Sequence, residues 1–429
     1  MVHSKFYHAE SSVYALTIVL KFMELLRSHL RLLKITLLLI SAVGIILGVY
    51  FTQRTLLYFE VEDFEYEEKE AAAHWAEIVP FVHVYSAFSA SSNSAVHIIA
   101  ATHRHRDKGS CTCIFNSTQN PLRTVTADRE DFWDHHDQVY TASRFLCSLP
   151  LNSSITANGV HVTFQCVNNG ARGSRNFAVY PSVTPVNMTS ALCGPIIFGN
   201  YSDAGALNRF IRYYTGLGIS RIFLCVKAVS ADVMRLLQLY RKKQVVEIMN
   251  WNLMVDEHAI HYNGQIAAIN ECYLRAAKEG FDYVLTVDLD EFVILSQNTS
   301  ISELMEHGSL DCVNIRSTLA RVIDITSDPS QNSKALSNSN IQKSKRMFQR
   351  QDHINEPNDR SKYICRTQSV LMAGIHYPYQ IHPETKILTA APVNKALVLH
   401  FRRNEITTSS VNSSEWRDLD AAFEIKNYY

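Results

Sequence analysis

No excess of either charge marks this chain. Its 41 Lys and Arg residues are matched by 41 Asp and Glu. It therefore lacks the one-signed field that draws a protein onto nucleic acid, and no nucleic-acid partner is expected. Zinc-finger spacing is missing too, since Cys111-x-Cys113 has no His/Cys set at the distances a structural zinc requires. One stretch lacks charge altogether. Residues 35–51 carry no ionisable side chain except that of Tyr50, and no Asn-x-Ser/Thr sequon precedes them.

That uncharged run is the first positive feature. With Lys34 and Arg54 as flanks, and a rise of about 1.5 Å per residue, it just crosses a hydrocarbon core of roughly 30 Å. A transmembrane signal anchor is expected at 35–54. Lys21, Arg27, Arg31 and Lys34 precede it, and Glu60, Glu62, Asp63, Glu65, Glu67, Glu68 and Glu70 follow it. The positive-inside rule then leaves 1–34 in the cytosol and sends the rest to the lumen, as in a single-pass type II membrane protein. A cleaved signal peptide would begin nearer the N-terminus and end in small residues, whereas this run ends Tyr50-Phe51-Thr52-Gln53-Arg54. Sequons at Asn116, Asn152, Asn187, Asn200, Asn298 and Asn412 all lie beyond the anchor, as do all 9 cysteines. An oxidising lumen would pair some of these cysteines, and the odd number leaves at least one unpaired or intermolecular. Cys225, inside an apolar run, reads as a buried thiol.

The 429 residues allow two or three domains. Residues 55–77 read as a short acidic stem. From 78 to 190 short strand-like runs (Ile78–Tyr85, Ala95–Ile99, Val160–Phe164) alternate with turn-rich Ser, Asn and Gly clusters, predicting a β-rich lumenal region. From 191 to 429 strand and helix alternate. Strands are predicted at Ile196–Phe198, Arg221–Val226, Val245–Met249 and Tyr283–Val287. The helix after Ser202 or Asp203 carries Leu207, Phe210, Ile211, Tyr214 and Leu217 on one face and stops at Gly218. A second is capped by Ser230, and a third runs from Gly264 to Lys278. Short connections of this kind imply an α/β fold, a mostly parallel sheet with helices on both faces. Residues 325–362 read as a long polar loop whose Lys343, Lys345, Arg346 and Arg350 could reach a diphosphate but read rather as a solvated charge run, and Lys395–Phe401 as a late strand.

Asp288-Leu289-Asp290-Glu291 follows the fourth strand of this alternation. Carboxylates at the tip of a core strand are costly without a positive partner, and a hard divalent cation with oxygen ligands is the obvious one. Ligands of parallel α/β sheets bind at the carboxyl ends of the strands, where this cluster stands. The cluster therefore reads as a metal–diphosphate site.

The segments Phe81-Val82-His83-Val84-Tyr85-Ser86-Ala87-Phe88, Asn208–Tyr214 with Leu217-Gly218-Ile219, Gly264–Cys272 and Asp288-Leu289-Asp290-Glu291-Phe292 resemble glycosyltransferase family 92 over roughly residues 80–405. The resemblance implies a GT-A-like (Rossmann-like), metal-dependent, inverting transferase of the Golgi membrane, with its catalytic domain lumenal. It implies UDP-galactose as donor, a glycan or glycoprotein as acceptor and Mn²⁺ as cofactor. Asp288 and Asp290 match the family's Asp-x-Asp. His400 is the candidate for a late metal ligand, with His376 as a second. Gln265 and Asn270 match polar positions of the preceding helix, with a role either toward the donor or in structure. The resemblance also leads one to expect further helical sequence after His400, where this chain soon reaches Tyr428-Tyr429.

Inversion requires a general base for the acceptor hydroxyl, and Glu291, Asp311 and Asp324 are left open for that role. Two other classes fit parts of the sequence. A haloacid-dehalogenase-like phosphatase also reads strand into Asp-x-Asp, with Asp288 as nucleophile and Asp290 as acid, although Phe292 stands where Thr or Val is wanted and no convincing downstream acidic pair stands at core-strand spacing. A non-catalytic membrane-anchored glycan-binding protein is the other; a channel or receptor is not favoured by one apolar span.

Overall fold

The computed structural model describes residues 74–90, 94–106, 109–117, 120–149, 155, 159–297, 299–325, 345–401 and 416–419, together with Ser41 and Gly44. The chain divides into two units, Met1–Ala71 and Ala72–Tyr429, and the second holds every strand among the described residues. The tail at 1–34, nearly all of the expected anchor at 35–54 and most of the stem at 55–77 lie outside the described residues. No helix among the described residues is long and apolar enough to cross a membrane.

In chain order the second unit begins with nine strands: β1 (Ala76–Val79), β2 (Val82–Ser89), β3 (Ala95–His103), β4 (Ser110–Ser117), β5 (Asn120–Thr126), β6 (Asp128–Asp131), β7 (Tyr140–Ser148), β8 (Val160–Asn168) and β9 (Ala171–Val179). The alternating part comes next: β10 (Val186–Ile197), α1 (Ala204–Gly216), β11 (Arg221–Val226), α2 (Ala231–Lys242), β12 (Val246–Asn250), α3 (Gln265–Lys278), β13 (Phe281–Thr286) and β14 (Glu291–Leu295). Then come the short α4 (Ile301–Leu304), β15 (Cys312–Ile315), β16 (Ser317–Ile325), β17 (Lys345–Gln351), β18 (Lys362–Arg366), β19 (Val370–Met372), β20 (Gln380–Ile381), β21 (Ile387–Leu388), β22 (Ala396–His400) and β23 (Trp416–Asp418).

The β-rich region is a sandwich of a five-stranded sheet, β1-β2-β3-β7-β6, and a four-stranded one, β5-β4-β8-β9. Val82, Val84, Val96 and Ile98 meet Val162 and Phe164 in its core. The expected strand over 78–85 is broken into β1 and β2 at Pro80-Phe81, where Phe81 takes φ +73°. A proline without an N–H followed by a left-handed residue ends one strand and starts the next.

The second layer is a seven-stranded sheet ordered β12-β11-β10-β13-β18-β15-β21. Parallel pairing joins β12, β11, β10 and β13. The sheet is mixed, however, because β18 runs antiparallel to both its neighbours, β13 and β15. Period-two alternation assigns its faces. Leu192, Ile222, Leu224 and Leu285 meet Leu207, Phe210, Ile211 and Tyr214 of α1 and Val233 and Leu237 of α2. Ala191, Cys193, Phe223, Cys225 and Val284 face the other way, toward Ile266, Ile269, Cys272 and Tyr273 of α3. That helix is covered in turn by Tyr85, Ile99 and Ala101 of the sandwich. Helices thus lie on both faces, and α3 is shut in between two sheets.

Local signals explain the helix ends. Asp203 Oδ1 accepts from Ala206 N at 2.8 Å to cap α1, and Ser230 caps α2. Gly218 and Gly264, at φ +100° and +84°, stop α1 and open α3. Eight cysteines pair as Cys111–Cys166, Cys113–Cys147, Cys193–Cys272 and Cys312–Cys365, and Cys225 is a buried free thiol.

The expected loop at 325–362 is only partly one. Residues 345–351 form β17, a hairpin partner of β16, and 362 already begins β18, while 326–344 lie outside the described residues. The run Lys345-Arg346-Met347-Phe348-Gln349-Arg350 has no clean alternation, so its strand character comes from pairing rather than pattern. Arg350 is buried, its Nη1 donating to the Gln351 carbonyl at 2.9 Å, and does not belong to a solvated charge run. A separate sheet, β14-β22-β16-β17-β23, carries the late strand. Around the expected C-terminal helical sequence, the described residues 416–418 are a strand paired to β17.

Candidate active site

β13 ends at Thr286, and the next strand, β14, leaves the seven-stranded sheet to pair with β22. The link Val287–Asp290 is therefore a tight turn between two sheets. Glu291 closes it, its Oε2 accepting from Asp288 N at 2.9 Å while its own N–H donates to the Asp288 carbonyl at 3.2 Å. From behind, the Tyr214 hydroxyl of α1 donates to the Glu291 carbonyl at 2.8 Å, and Phe401 N donates to the Asp290 carbonyl at 2.8 Å. The helix and the residue after β22 together hold the backbone of the turn.

Strand register then supplies the partners. Antiparallel pairing sets Thr286 opposite Tyr363, which brings the preceding residue, Lys362, beside the turn. Its Nζ lies 2.8 Å from Asp288 Oδ2 and 3.0 Å from Glu291 Oε2. Lys362 and Glu291 are 1% and 2% exposed, so this cation is a buried counter-charge rather than a mobile surface group. Pairing of β14 with β22 sets Glu291 opposite His400, whose Nε2 lies 3.4 Å from Asp290 Oδ2 and whose Nδ1 lies 3.8 Å from Glu291 Oε1. Asp290, at 47% side-chain exposure, faces solvent. From α3, Gln265 Nε2 donates to Asp288 Oδ1 at 3.2 Å.

The charges follow from this packing. Burial alone would push the Asp288 carboxyl up, but the Lys362 ammonium, assisted by His376 and His400, holds it below the ordinary carboxylate range. Burial, with Asp288 adding to it, pushes Glu291 up in spite of Lys362. Lys362 is disfavoured by burial, yet the two carboxylates hold it above its ordinary value. Burial, then Lys362, pushes His376 down. Its Nδ1 lies 3.2 Å from the carbonyl of Ser361.

Of the residues expected from sequence, the structure brings Gln265, Asp288, Asp290, Glu291 and His400 to one place. Asp311 does not join them. It accepts from Arg366 Nε at 3.0 Å and from Lys386 N at 2.9 Å, at the far end of β18 from Lys362. Four residues of strand separate the two ends, about 13 Å at the usual rise, so Asp311 stands away from the acidic turn. Asp324 lies on β16, and its side chain is outside the described residues. Asn270 is bonded into the fold: its Nδ2 donates to the carbonyls of Ile266 (2.9 Å) and Ala373 (3.0 Å), and its Oδ1 accepts from Ala373 N (2.9 Å). Glu291 is buried behind the turn, in contact with Asp288 N and Lys362 Nζ. The residue missed from sequence is Lys362. Its one signal was a lysine opening the apolar run Tyr363-Ile364-Cys365 at the end of a polar stretch.

The donor set fits a divalent ion at Asp290 and His400, a carboxylate oxygen and an imidazole nitrogen, both reachable from solvent. Asp288 stands beside this pair, with Lys362 on its Oδ2 and Gln265 on its Oδ1, contacts of the kind that orient a carboxylate.

Residues 189–426 match the family described as glycosyltransferase family 92. Beta-1,4-galactosyltransferase galt-1 of Caenorhabditis elegans is 29% identical over 107 residues, 24% of this chain. That stretch spans 25% of the relative's own length. Among solved structures, a cyclomaltodextrinase superposes with TM-score 0.18 and 9% identity over 40% of each chain. A purple acid phosphatase from yellow lupin (Lupinus luteus) does so with TM-score 0.21 and 8% identity over 45% of this chain and 39% of that one. Superpositions at these scores carry no argument.

Proposed function

Because the chain belongs to glycosyltransferase family 92, we propose that it transfers a hexose, galactose in the first instance, from a UDP-sugar to a glycan acceptor. Inversion at the anomeric carbon, dependence on Mn²⁺ or a similar ion, and a lumenal Golgi site behind a type II anchor are parts of the same proposal. Galactose is drawn from the partial likeness to a galactosyltransferase. Family membership displaces the phosphatase and the non-catalytic glycan-binding readings.

The observation that carries the mechanism is the division of labour around the turn. Asp290, facing solvent, and His400, largely buried beside it, would hold the cation. A divalent ion bound there supplies Lewis-acid stabilisation of the charge that grows on the leaving diphosphate. Asp288, kept ionised by Lys362, presents a fixed acceptor for donor hydroxyls, and Gln265 sets its angle. Glu291 holds the turn closed, so the two aspartates keep their relative position without reorganisation during the reaction.

Purified full-length protein, offered a panel of UDP-sugars and glycan acceptors with Mn²⁺ or with EDTA, tests this reading. The expected result is transfer from UDP-galactose that EDTA abolishes and Mn²⁺ restores. Absence of transfer from every UDP-sugar, or equal rates with EDTA, would overturn it.

A further inference from the structure

Outside the acidic turn, Asp134 and His136 on the β6–β7 connection meet His261 on the turn that opens α3. One carboxylate oxygen and two imidazole nitrogens lie within 4.8 Å of one another there. We propose that Asp134, His136 and His261 form a second metal site, for a zinc-class cation, separate from the Asp290–His400 pair.

The chemistry of the donors selects the class. Two imidazoles and one carboxylate suit a borderline ion such as Zn²⁺ and leave a fourth, open position, whereas Mg²⁺ and Ca²⁺ prefer oxygen alone. The three side chains are already assembled. His136 Nε2 lies 2.6 Å from Asp134 Oδ1, and the His136 and His261 rings stack with centroids 3.8 Å apart. Tyr379 lies beside Asp134, whose charge adds to burial in pushing the Tyr379 hydroxyl up; a neighbour of this kind can orient a ligating carboxylate. His136, 56% exposed, gives an ion access from solvent. Both supporting loops hold non-glycine residues at left-handed φ, His136 at +45°, Asp137 at +58° and Tyr262 at +41°. Such conformations persist where surrounding interactions over-determine them.

The site joins two parts of the fold. His261 lies four positions before Gln265, the residue that donates to Asp288. A cation there ties the β6–β7 connection of the sandwich to the start of α3. The proposal does not depend on sugar transfer.

Full-length protein stripped with a chelator and titrated with Zn²⁺ against a chromophoric competitor tests it. Wild type takes up a Zn²⁺ that Asp290→Asn retains. His136→Ala and His261→Ala each weaken that uptake beyond the roughly 10- to 100-fold expected from losing an outer-shell partner. Co²⁺ in place of Zn²⁺ gives visible d–d absorption in wild type and in Asp290→Asn, absent in His136→Ala; circular dichroism confirms that the exposed His136 variant is folded. Zn²⁺ uptake that survives loss of both histidines, or that disappears with Asp290→Asn, would overturn the proposal.

Discussion

The ammonium of Lys362, buried in β18, lies 2.8 Å from Asp288 Oδ2 at the end of β13. Two strands that run in opposite directions thus deliver a cation and an anion to the same point. Glu291, 3.0 Å from the same ammonium, makes the arrangement a triad. Replacing Lys362 with Met strands two carboxylates, one of them 2% exposed. Removing one partner of a buried ion pair costs about 3–5 kcal/mol. Urea unfolding of Lys362→Met should show a loss near that size, and Lys362→Met combined with Glu291→Gln should recover part of it.

The triad also sets a pH signature. Lys362 is held above its ordinary value in the folded state. Its contribution is complete below the unfolded-state value of about 10.4 and declines as pH rises from there through the higher folded value. Asp288 is held below its ordinary value, so its contribution is complete above about 3.9 and is lost as pH falls through the folded value. The stability gap between wild type and Lys362→Met should be constant near pH 8 and shrink above about pH 10.4. A gap that widened there would contradict the assignment of Lys362 as the buried cation.

Asp290 and His400 separate chemistry from folding. Asp290 is half exposed, so Asp290→Asn should leave Tm unchanged. If the cation supplies several kcal/mol to the transition state, kcat should fall by about a thousandfold. His400→Ala should raise the Mn²⁺ concentration needed for half-maximal rate, with the maximal rate less affected.

Gln265 and Asn270, on the same helix, should respond in opposite ways. Gln265→Ala removes a donor to Asp288 and should raise KM for the nucleotide sugar with stability nearly unchanged. Asn270→Ala strips partners from both the N–H and the carbonyl of Ala373. About 1–3 kcal/mol of stability should be lost for a buried polar group left unsatisfied, with KM unaltered in the folded fraction.

Asp311→Asn should retain turnover, because its carboxylate binds Arg366 and Lys386 N away from the turn. A fall in kcat with unchanged KM and Tm would favour it as the base instead.

Where local pattern decides structure, the sequence was sufficient. The faces of α1 and α3, the caps at Asp203 and Ser230 and the stop at Gly218 all follow from spacing and side-chain chemistry. The acidic turn was legible for the same reason, since three carboxylates closing an apolar run demand a positive partner. Lys362 was hidden because its role depends on register: only the antiparallel pairing of β18 with β13 places it beside Asp288. Asp311 could not be placed from sequence, because nothing local says which end of the sheet it occupies; its bonds to Arg366 and Lys386 N set it at the end of β18 away from Lys362. His400 gained its meaning from the pairing of β22 with β14, again a non-local contact.

Cys225 gives the disulfides a safeguard. It is the one cysteine of 9 outside a bridge, it lies fully inside the core, and burial pushes its thiol well above the ordinary value. Exchange between bridges begins with an accessible thiolate. While the fold is intact, the chain offers no such initiator of its own, and its four pairings cannot be scrambled from within. The odd thiol becomes an attacker only after the sheet has opened, so loss of native pairing follows unfolding rather than causing it.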